Sequence, residues 1–532
     1  LQFHRGTYSS QARIKVLNRR LEHDLVEAEA ASVLDGAYRA GDPRPSELGE
    51  LWEVLLRNQF HDVLPGSSVR SVNEVAERDM EAALARVREL RDGALHALSS
   101  PHAGPSERVL VWNLDAHDRP LHAELPAPQP QAGNAFITPD GRRVPWQAAG
   151  GGVVVSDPDT LVPAMGFITL EASDHEPEPS PREDAVTVES GRLRNGLLDV
   201  RFDGGGRIAS LVDLRSGLDA TGGEGAELRV NADLPRVYEA WELDPDDPEA
   251  FETLVADGPA EILENGPERG RLRFTFTHPN VTVRQDFVLM RGGLTLDVQT
   301  HVQVHGRRVR LTARIPTAVR SRHYTAETAF GTVERPRHQN TPWDGAMFEA
   351  PAHRFVAVQD ARSGLAVLND GRYGHAVDMG AIHLTLARAA IFPDPYADEG
   401  EHQFTYALMP LGSADLAGVV REAHRLNAPL HAVPLAARLG AEAPAVAASM
   451  LRLPPGERLA ALKVAREGGA VVLRSYEPLG KPGLIASPDA PEGWVETGYT
   501  DLLERPLADS ASELRPYSVI TRRFVPASED RS

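Results

Sequence analysis

The stretch Asn58-Gln59-Phe60-His61-Asp62-Val63-Leu64-Pro65-Gly66 ends an apolar run with polar side chains just where a helix stops and a loop begins. An imidazole next to a carboxylate at such a place can hold a metal ion, relay a proton or grip a ligand hydroxyl. Spacing alone favours a plainer role, because an arbitrary His-Asp pair more often caps its helix and bonds its partner or the backbone. No second histidine stands four residues after His61 and no His-x-Asp pair accompanies it, so the chain by itself does not supply a three-ligand zinc site of recognisable spacing. Hydrolysis of a glycoside needs two carboxylates across the scissile bond, and the 76 acidic residues show no periodicity that marks a pair.

The other charged clusters read as loops. Asp244 to Glu249 and the group Asp394, Asp398 and Glu399 are expected in solvent. Arg335-Pro336-Arg337-His338 is basic enough for an anion site, although a loop satisfying its own backbone is the commoner outcome. Gly204-Gly205-Gly206 lacks the strand and helix of a nucleotide fold, and Asp203 before it predicts a hairpin turn, which excludes nucleotide binding there.

Composition narrows the chemistry further. A formal charge of −20 repels a nucleic acid or an anionic membrane surface, whereas a neutral sugar meets no such barrier. With no cysteine there is no disulfide framework or thiolate site, so any metal must be held by His, Asp or Glu. No run of about 18 apolar residues is present and no signal peptide opens the sequence, so neither a membrane span nor an export signal is expected, and the cytoplasm is the compartment that fits best. The opening Leu1-Gln2-Phe3 reads as the middle of a strand, so the numbering is expected to begin inside a larger polypeptide.

The elements that must position His61 are helical. Ile14, Leu17, Leu21, Leu25 and Ala28 form a stripe from Ser10 to about Ala40, stopped by Gly41 and Pro43. Ser46 can cap a second helix with Leu48, Leu51, Trp52, Leu55, Leu56 and Phe60 on one face, and a third carries Val69, Val72, Ala76, Met80, Leu84 and Val87 towards Leu98. Three such helices make a small bundle. Past Pro101 the texture turns to β, with a linker expected over Asp174 to Asp184. Strands are predicted at Leu197–Phe202, Leu272–Phe276, Leu294–Val304 and Leu365–Leu368, followed by a helix near Ala414–Leu426 and last strands at Ala470–Leu473 and Val519–Phe524. The predicted class is multidomain and mainly β, a three-helix bundle followed by β-sandwich domains. At 532 residues, three or four compact units are the natural number.

Gln59-Phe60-His61-Asp62-Val63-Leu64-Pro65-Gly66-Ser67-Ser68 resembles the glutamine, aromatic, histidine, aspartate, proline-glycine signature of the middle domain of glycoside hydrolase family 38 α-mannosidases. His4-Arg5-Gly6-Thr7-Tyr8-Ser9-Ser10-Gln11-Ala12 is similar to the segment that joins that family's catalytic barrel to its helical bundle, in the cytosolic and bacterial branch. Asn195 to Leu198, Gly206 to Leu211, Tyr238 to Asp244, Gly331 to Trp343, Tyr373 to His375 and Pro393 to Gly400 resemble the family's β-domain landmarks. Phe60 replaces the second histidine of the Golgi and lysosomal branch, which points to the cytosolic-like branch.

The resemblance implies that His61 is one of four protein ligands to a single Zn2+ that binds adjacent mannose hydroxyls, and that Asp62 contacts sugar hydroxyls beside it. His4, Arg5 and Tyr8 lie where the active-site rim enters the bundle and are expected at the substrate. The remaining zinc ligands, the nucleophile and the acid/base belong in the family to an amino-terminal α/β barrel, with no counterpart in this chain, so no catalytic residue is assigned within it. The implied division is 1–12, end of the barrel; 13–100, bundle; 101–180, small β domain; 181–425, large β-sandwich; and 426–532, last β domain. The expected protein is the carboxy-terminal portion of a retaining exo-α-mannosidase acting on α-mannoside oligosaccharides, inactive without its barrel. The alternatives are a non-catalytic carbohydrate-binding or structural module and a related glycosidase for another sugar. A homo-oligomer suits a large enzyme, but no residue specifies one.

Overall fold

The computed structural model describes residues 4–39, 45–104, 107–126, 135–173, 183–245, 250–412, 415–438, 444–507 and 513–526. The opening Leu1-Gln2-Phe3, the break at 40–44, most of the linker at 174–182 and the acidic run at 246–249 lie outside them.

Three helices come first: α1 (Ala12–Arg39), α2 (Pro45–Asn58) and α3 (Arg70–Ser99). The predicted stripe of α1 is buried along its length and packs with Leu48, Leu55, Ala76, Met80, Leu84 and Val87. The polar side of α1 is buried as well. Lys15, Asn18, Arg19, Asp24 and Glu27 are each less than a tenth exposed, because the helix runs between its neighbours and the β domains. The two acids are paired: Arg91 of α3 donates to Asp24 at 3.1 Å and to Glu27 at 3.2 Å. Three details differ from the pattern. α2 starts at Pro45, whose fixed φ suits a first helical position, so Ser46 sits inside the first turn. Leu56 and Phe60 at the end of α2 are exposed, and so are Val69 and Val72 at the start of α3, since these turns project past the shared interior.

The rest is β with two short helices, α4 (Pro342–Ala346) and α5 (Leu416–Asn427). A sheet in the order 431–435, 108–113, 166–172, 136–137, 143–144 faces a three-stranded sheet of 119–126, 152–162 and 146–149 across a small apolar core. The late strand His431–Leu435 thus pairs with the early strand Arg108–Asn113. Three sheets of five, six and nine strands between Thr187 and Leu411 enclose the largest core. In Leu296–Val304 the alternate residues Leu296, Val298, Val302 and Val304 point into it, as a strand with one buried face requires. A four-stranded sheet of 458–464, 471–476, 519–526 and 494–499 closes the chain. The architecture is therefore multidomain and mainly β behind a helical bundle, as predicted. At Gly204-Gly205-Gly206 the Asp203 carboxylate accepts the Gly205 and Arg207 amides at 2.9 and 3.0 Å, which closes the predicted hairpin. No described helix is long and apolar enough to cross a membrane.

Where α1 meets the β domains, titratable groups crowd together. Glu327 takes the Arg354 guanidinium at 3.0 and 2.9 Å, and Arg354 also donates to the Tyr476 hydroxyl at 3.1 Å. The His23 and His424 rings meet edge to face at 6.2 Å, with His424 Nδ1 3.3 Å from Asp115. Burial, reinforced by Arg354 and Arg119 against the opposing Asp115, lowers His424 to about 4. Burial likewise lowers His353 to about 4 beside Arg19 and Arg354, with Glu327 opposing, and His375 to about 4 near Arg335.

These shifts give stability a pH dependence with a definite sign. The native protein holds the three imidazoles neutral, while the unfolded chain takes up their protons near pH 6.5. Stability is therefore complete above about pH 6.5 and is lost as pH falls towards 4, on the order of 1–3 kcal/mol per histidine. Glu29 and Glu77, raised to about 7 chiefly by burial, act in the opposite direction and offset part of the slope. Urea denaturation should give a lower midpoint at pH 5 than at pH 7, with a shallower pH dependence in His424→Gln. A flat profile in the parent protein would contradict the neutral native state.

Candidate functional site

The loop after α2 is fixed by polar groups that leave two side chains uncommitted to the fold. Asn58 is buried and donates to the Val54 carbonyl at 2.9 Å within its own helix. Gln59 Nε2 donates to Asn18 of α1 at 3.0 Å, and Asn18 reaches the Tyr373 hydroxyl at 3.4 Å. Lys15 of α1 donates to the carbonyls of Ser10 and of Leu64, the latter at 2.9 Å, and burial lowers its ammonium to about 7 against the pull of Asp398. Ser68 Oγ donates to the Asp62 carbonyl at 2.7 Å, and Asn73 Nδ2 donates to the Ser68 carbonyl at 3.2 Å. Gly66, at φ 78°, presses so close to the 10–11 backbone that a Cβ would lie 2.5 Å from the Ser10 carbonyl oxygen. The Pro-Gly step of the motif is thus a packing requirement.

His61 and Asp62 stand at the tip of this framework. Their side chains are 78% and 50% exposed, and His61 Nε2 lies 3.6 Å from Asp62 Oδ2. That is an ion-pair distance rather than a hydrogen bond. The His61 ring rests against Phe60 at 4.1 Å between centroids. The helix-capping role open at the level of spacing is not what either side chain performs: backbone contacts such as Val63 N to Phe60 O at 2.9 Å close the turn.

The segment before α1 forms a second group. His4, at φ 64°, places Nδ1 3.1 Å from the Glu242 carboxylate with its ring 59% exposed. Arg5 is buried: its guanidinium lies over the Phe348 ring at 4.7 Å and donates to the Ala346 carbonyl. Burial lowers the Arg5 guanidinium, opposed by Tyr8, Glu242 and Glu349, and burial raises the half-buried Tyr8 phenol. Gly6 donates to the Trp241 carbonyl at 2.8 Å, and its missing Cβ leaves room for Arg388. Arg388 is buried against Asp233 at 2.7 Å and donates to Ser10 Oγ at 3.1 Å. The two groups meet at Ser10, whose hydroxyl bonds the Gly6 and Ala240 carbonyls while its backbone carbonyl takes Lys15 and packs on Gly66.

Several residues here escape a reading by pattern. Asp394 and Asp398, expected in solvent, are each 5% exposed. Asp398 Oδ1 accepts the Ala12 amide at 2.7 Å, and Asp394 Oδ2 accepts Gln11 at 3.0 Å and Asn73 at 3.1 Å. Beside His4, the Tyr238, Trp241 and Phe392 rings follow one another at 6.2 Å spacings, with Tyr238 and Phe392 more than half exposed. Single aromatics in loops give no sequence signal for such a row. Arg335 and Arg337 donate to the carbonyls of Pro351, Val319, Ser321 and Asp378, so that loop does satisfy backbone.

For a metal, His61 offers one imidazole nitrogen and Asp62 one carboxylate, both accessible. Among the described residues no group of three or more His, Asp or Glu comes together that could hold an ion. The donors present fit an ion whose other ligands come from outside these residues.

Residues 2–98 match the alpha mannosidase middle domain, and residues 193–396 match the glycosyl hydrolases family 38 C-terminal domain. The chain is 33% identical over 90% of its length to human alpha-mannosidase 2C1 and 26% identical over 80% to the alpha-mannosidase of Saccharomyces cerevisiae. It spans 45% and 36% of those two proteins, less than half of each. The crystal structure of an alpha-mannosidase from Enterococcus faecalis shares its fold over 98% of this chain and 68% of that one, with a TM-score of 0.80 at 17% identity.

The loop geometry separates stability from exposure. Gly66→Ala is expected to cost about 2 kcal/mol or more in urea denaturation, since it places a methyl into the Ser10 carbonyl at positive φ. His61→Ala, on an exposed ring, should stay within about 0.5 kcal/mol of the parent. A neutral Gly66→Ala or a costly His61→Ala would show that the loop is held differently.

Proposed function

This chain belongs to glycoside hydrolase family 38 through its middle and carboxy-terminal domains, and we propose that it is the carboxy-terminal portion of a zinc-dependent, retaining exo-α-mannosidase acting on α-mannoside oligosaccharides in the cytoplasm. The observation that carries the reading is the rigid presentation of His61 and Asp62. Asn58, Gln59, Lys15 and Asn73 are spent in fixing the loop, while these two side chains face outward. A fold does not hold an exposed polar pair so firmly for stability, because exposed pairs contribute little.

In this reading His61 supplies one ligand to Zn2+ and Asp62 accepts hydrogen bonds from hydroxyls of the bound mannose. Zinc, when bound, orients and polarises adjacent ring hydroxyls. An upstream barrel supplies the remaining ligands, the nucleophile and the acid/base, the last two about 5–5.5 Å apart as retention requires. Arg5, turned inward onto Phe348, acts by positioning the 4–8 turn, which leaves His4 and Tyr8 as the rim groups able to meet substrate. The division at residues 12, 100, 180 and 425 is proposed with it.

The reading is tested with the protein extended upstream to the length of its relatives. It should hydrolyse an aryl α-mannoside, lose that activity to a chelator, and as His61→Ala lose both activity and the zinc retained after dialysis; the 532-residue chain alone should be silent. An extended protein that turns over nothing, or in which His61→Ala keeps zinc and activity, would make this chain a non-catalytic carbohydrate-binding or structural module.

A further inference from the structure

The six-stranded sheet has an interior face and an outer face of opposite character. Val230, Leu311, Ala313 and Leu384 point into the main core. The residues between them point the other way, and register brings them together: Asn231 opposite Arg310, Arg229 opposite Thr312, Thr312 opposite Thr385 and Arg314 opposite His383. A polar outer face is ordinary for a sheet when water covers it. Here the segment from Pro336 to Glu349 folds over it and leaves a cavity of about 540 Å³ between roof and sheet, the size of small-molecule sites.

Most charges around this cavity are paired, Arg229 with Glu227, Arg310 with Glu349 at 3.6 Å and His383 with Asp378 at 2.9 Å, but two buried donors are left over. Arg337, in the roof, is 2% exposed and donates through Nε and Nη1 to the carbonyls of Asp378, Val319 and Ser321 at 2.8–3.2 Å. Those neutral acceptors fix the guanidinium without neutralising it. Among the described residues Arg337 forms no ion pair, and its Nη2 is buried without a hydrogen-bond partner. On the sheet, Thr312 is 9% exposed and its hydroxyl also lacks a partner. Among the described residues Arg314 pairs with Glu224 alone, at 3.1 Å and itself 65% exposed, a weak surface pair. Buried donors and charges left unmatched are costly unless something else matches them. Phe251, under the Arg229 guanidinium at 3.7 Å, and Phe348 add apolar surface at the edges.

We propose that this cavity binds a small anionic, hydroxyl-bearing molecule, a sugar carrying a phosphate or carboxylate. Its oxyanion lies against Arg337 and Arg314, and its hydroxyls bond Thr312 and its neighbours on the sheet. Fixed guanidinium forks match oxyanions. None of His61, Asp62, His4 and Tyr8 lines this cavity, so its success or failure is separable from the hydrolase reading.

Isothermal titration calorimetry of the protein with mannose 6-phosphate, glucuronate, mannose and inorganic phosphate tests this. Support is one saturable site for mannose 6-phosphate, glucuronate or both, with mannose and inorganic phosphate at least tenfold weaker; which anionic sugar binds identifies the source of the charge. Thr312→Val and Arg314→Gln, neither of which removes a bond that holds the roof, should each weaken that site about tenfold or more with unchanged circular dichroism. Arg337→Gln should abolish it, and the other two variants carry the test if that one does not fold. Absence of binding by both anionic sugars, mannose or inorganic phosphate binding as tightly, or variants that bind like the parent would each overturn the proposal.

Discussion

Two buried carboxylates from a β-domain loop hold the helical bundle to the sandwich. Asp398 caps α1 by accepting the Ala12 amide, and Asp394 clasps Gln11 just before α1 and Asn73 in the first turn of α3. A carboxylate at a helix N-terminus is favoured twice, by the unbonded amides and by the positive end of the helix dipole. Arg388 makes the same junction from the other side, buried against Asp233 and reaching Ser10. The consequence is positional. The loop between α2 and α3 lies against residues 10–15 and cannot move independently of them.

That arrangement explains how an exposed pair can be precise in place. His61 and Asp62 have almost no contacts of their own, yet backbone carbonyls along the loop are tied: Leu64 to Lys15, Ser68 to Asn73, Asp62 to Ser68. Precision comes from buried neighbours rather than from the pair itself, the usual condition for a site that must keep its polar atoms available to a ligand. The 4–8 turn shows a related economy. Gly6 is small enough for Arg388 to pass, and Arg5 is committed to Phe348, so one turn plugs the structure while its exposed His4 ring stands beside Tyr238, Trp241 and Phe392.

Several buried guanidiniums are met by a carboxylate. The buried Arg354 meets Glu327, Arg91 meets Asp24 and Glu27, and Arg522 meets Glu457, each an acid placed to neutralise a buried guanidinium. Histidines at the same junctions stay uncharged through burial. Arg337, like Arg119 and Arg372, has carbonyls where Arg354, Arg91 and Arg522 have carboxylates.

The sequence alone determined what depends on local period and local chemistry. The α1 stripe, the strand alternation at Leu296–Val304, the Asp203 hairpin and the His61-Asp62 motif at the end of a helix were all legible, because each is a relation among residues a few positions apart. The linear motif also carried the family, and with it the expectation of zinc and a barrel. Only the tertiary structure decided which charges are buried. Asp394 and Asp398 look like solvated loop acids until Ala12, Gln11 and Asn73 arrive from more than 300 positions away to bond them, and only the fold places the Arg5 guanidinium over Phe348. Burial and pairing are properties of three-dimensional neighbours, and no period along the chain encodes a partner brought there by folding.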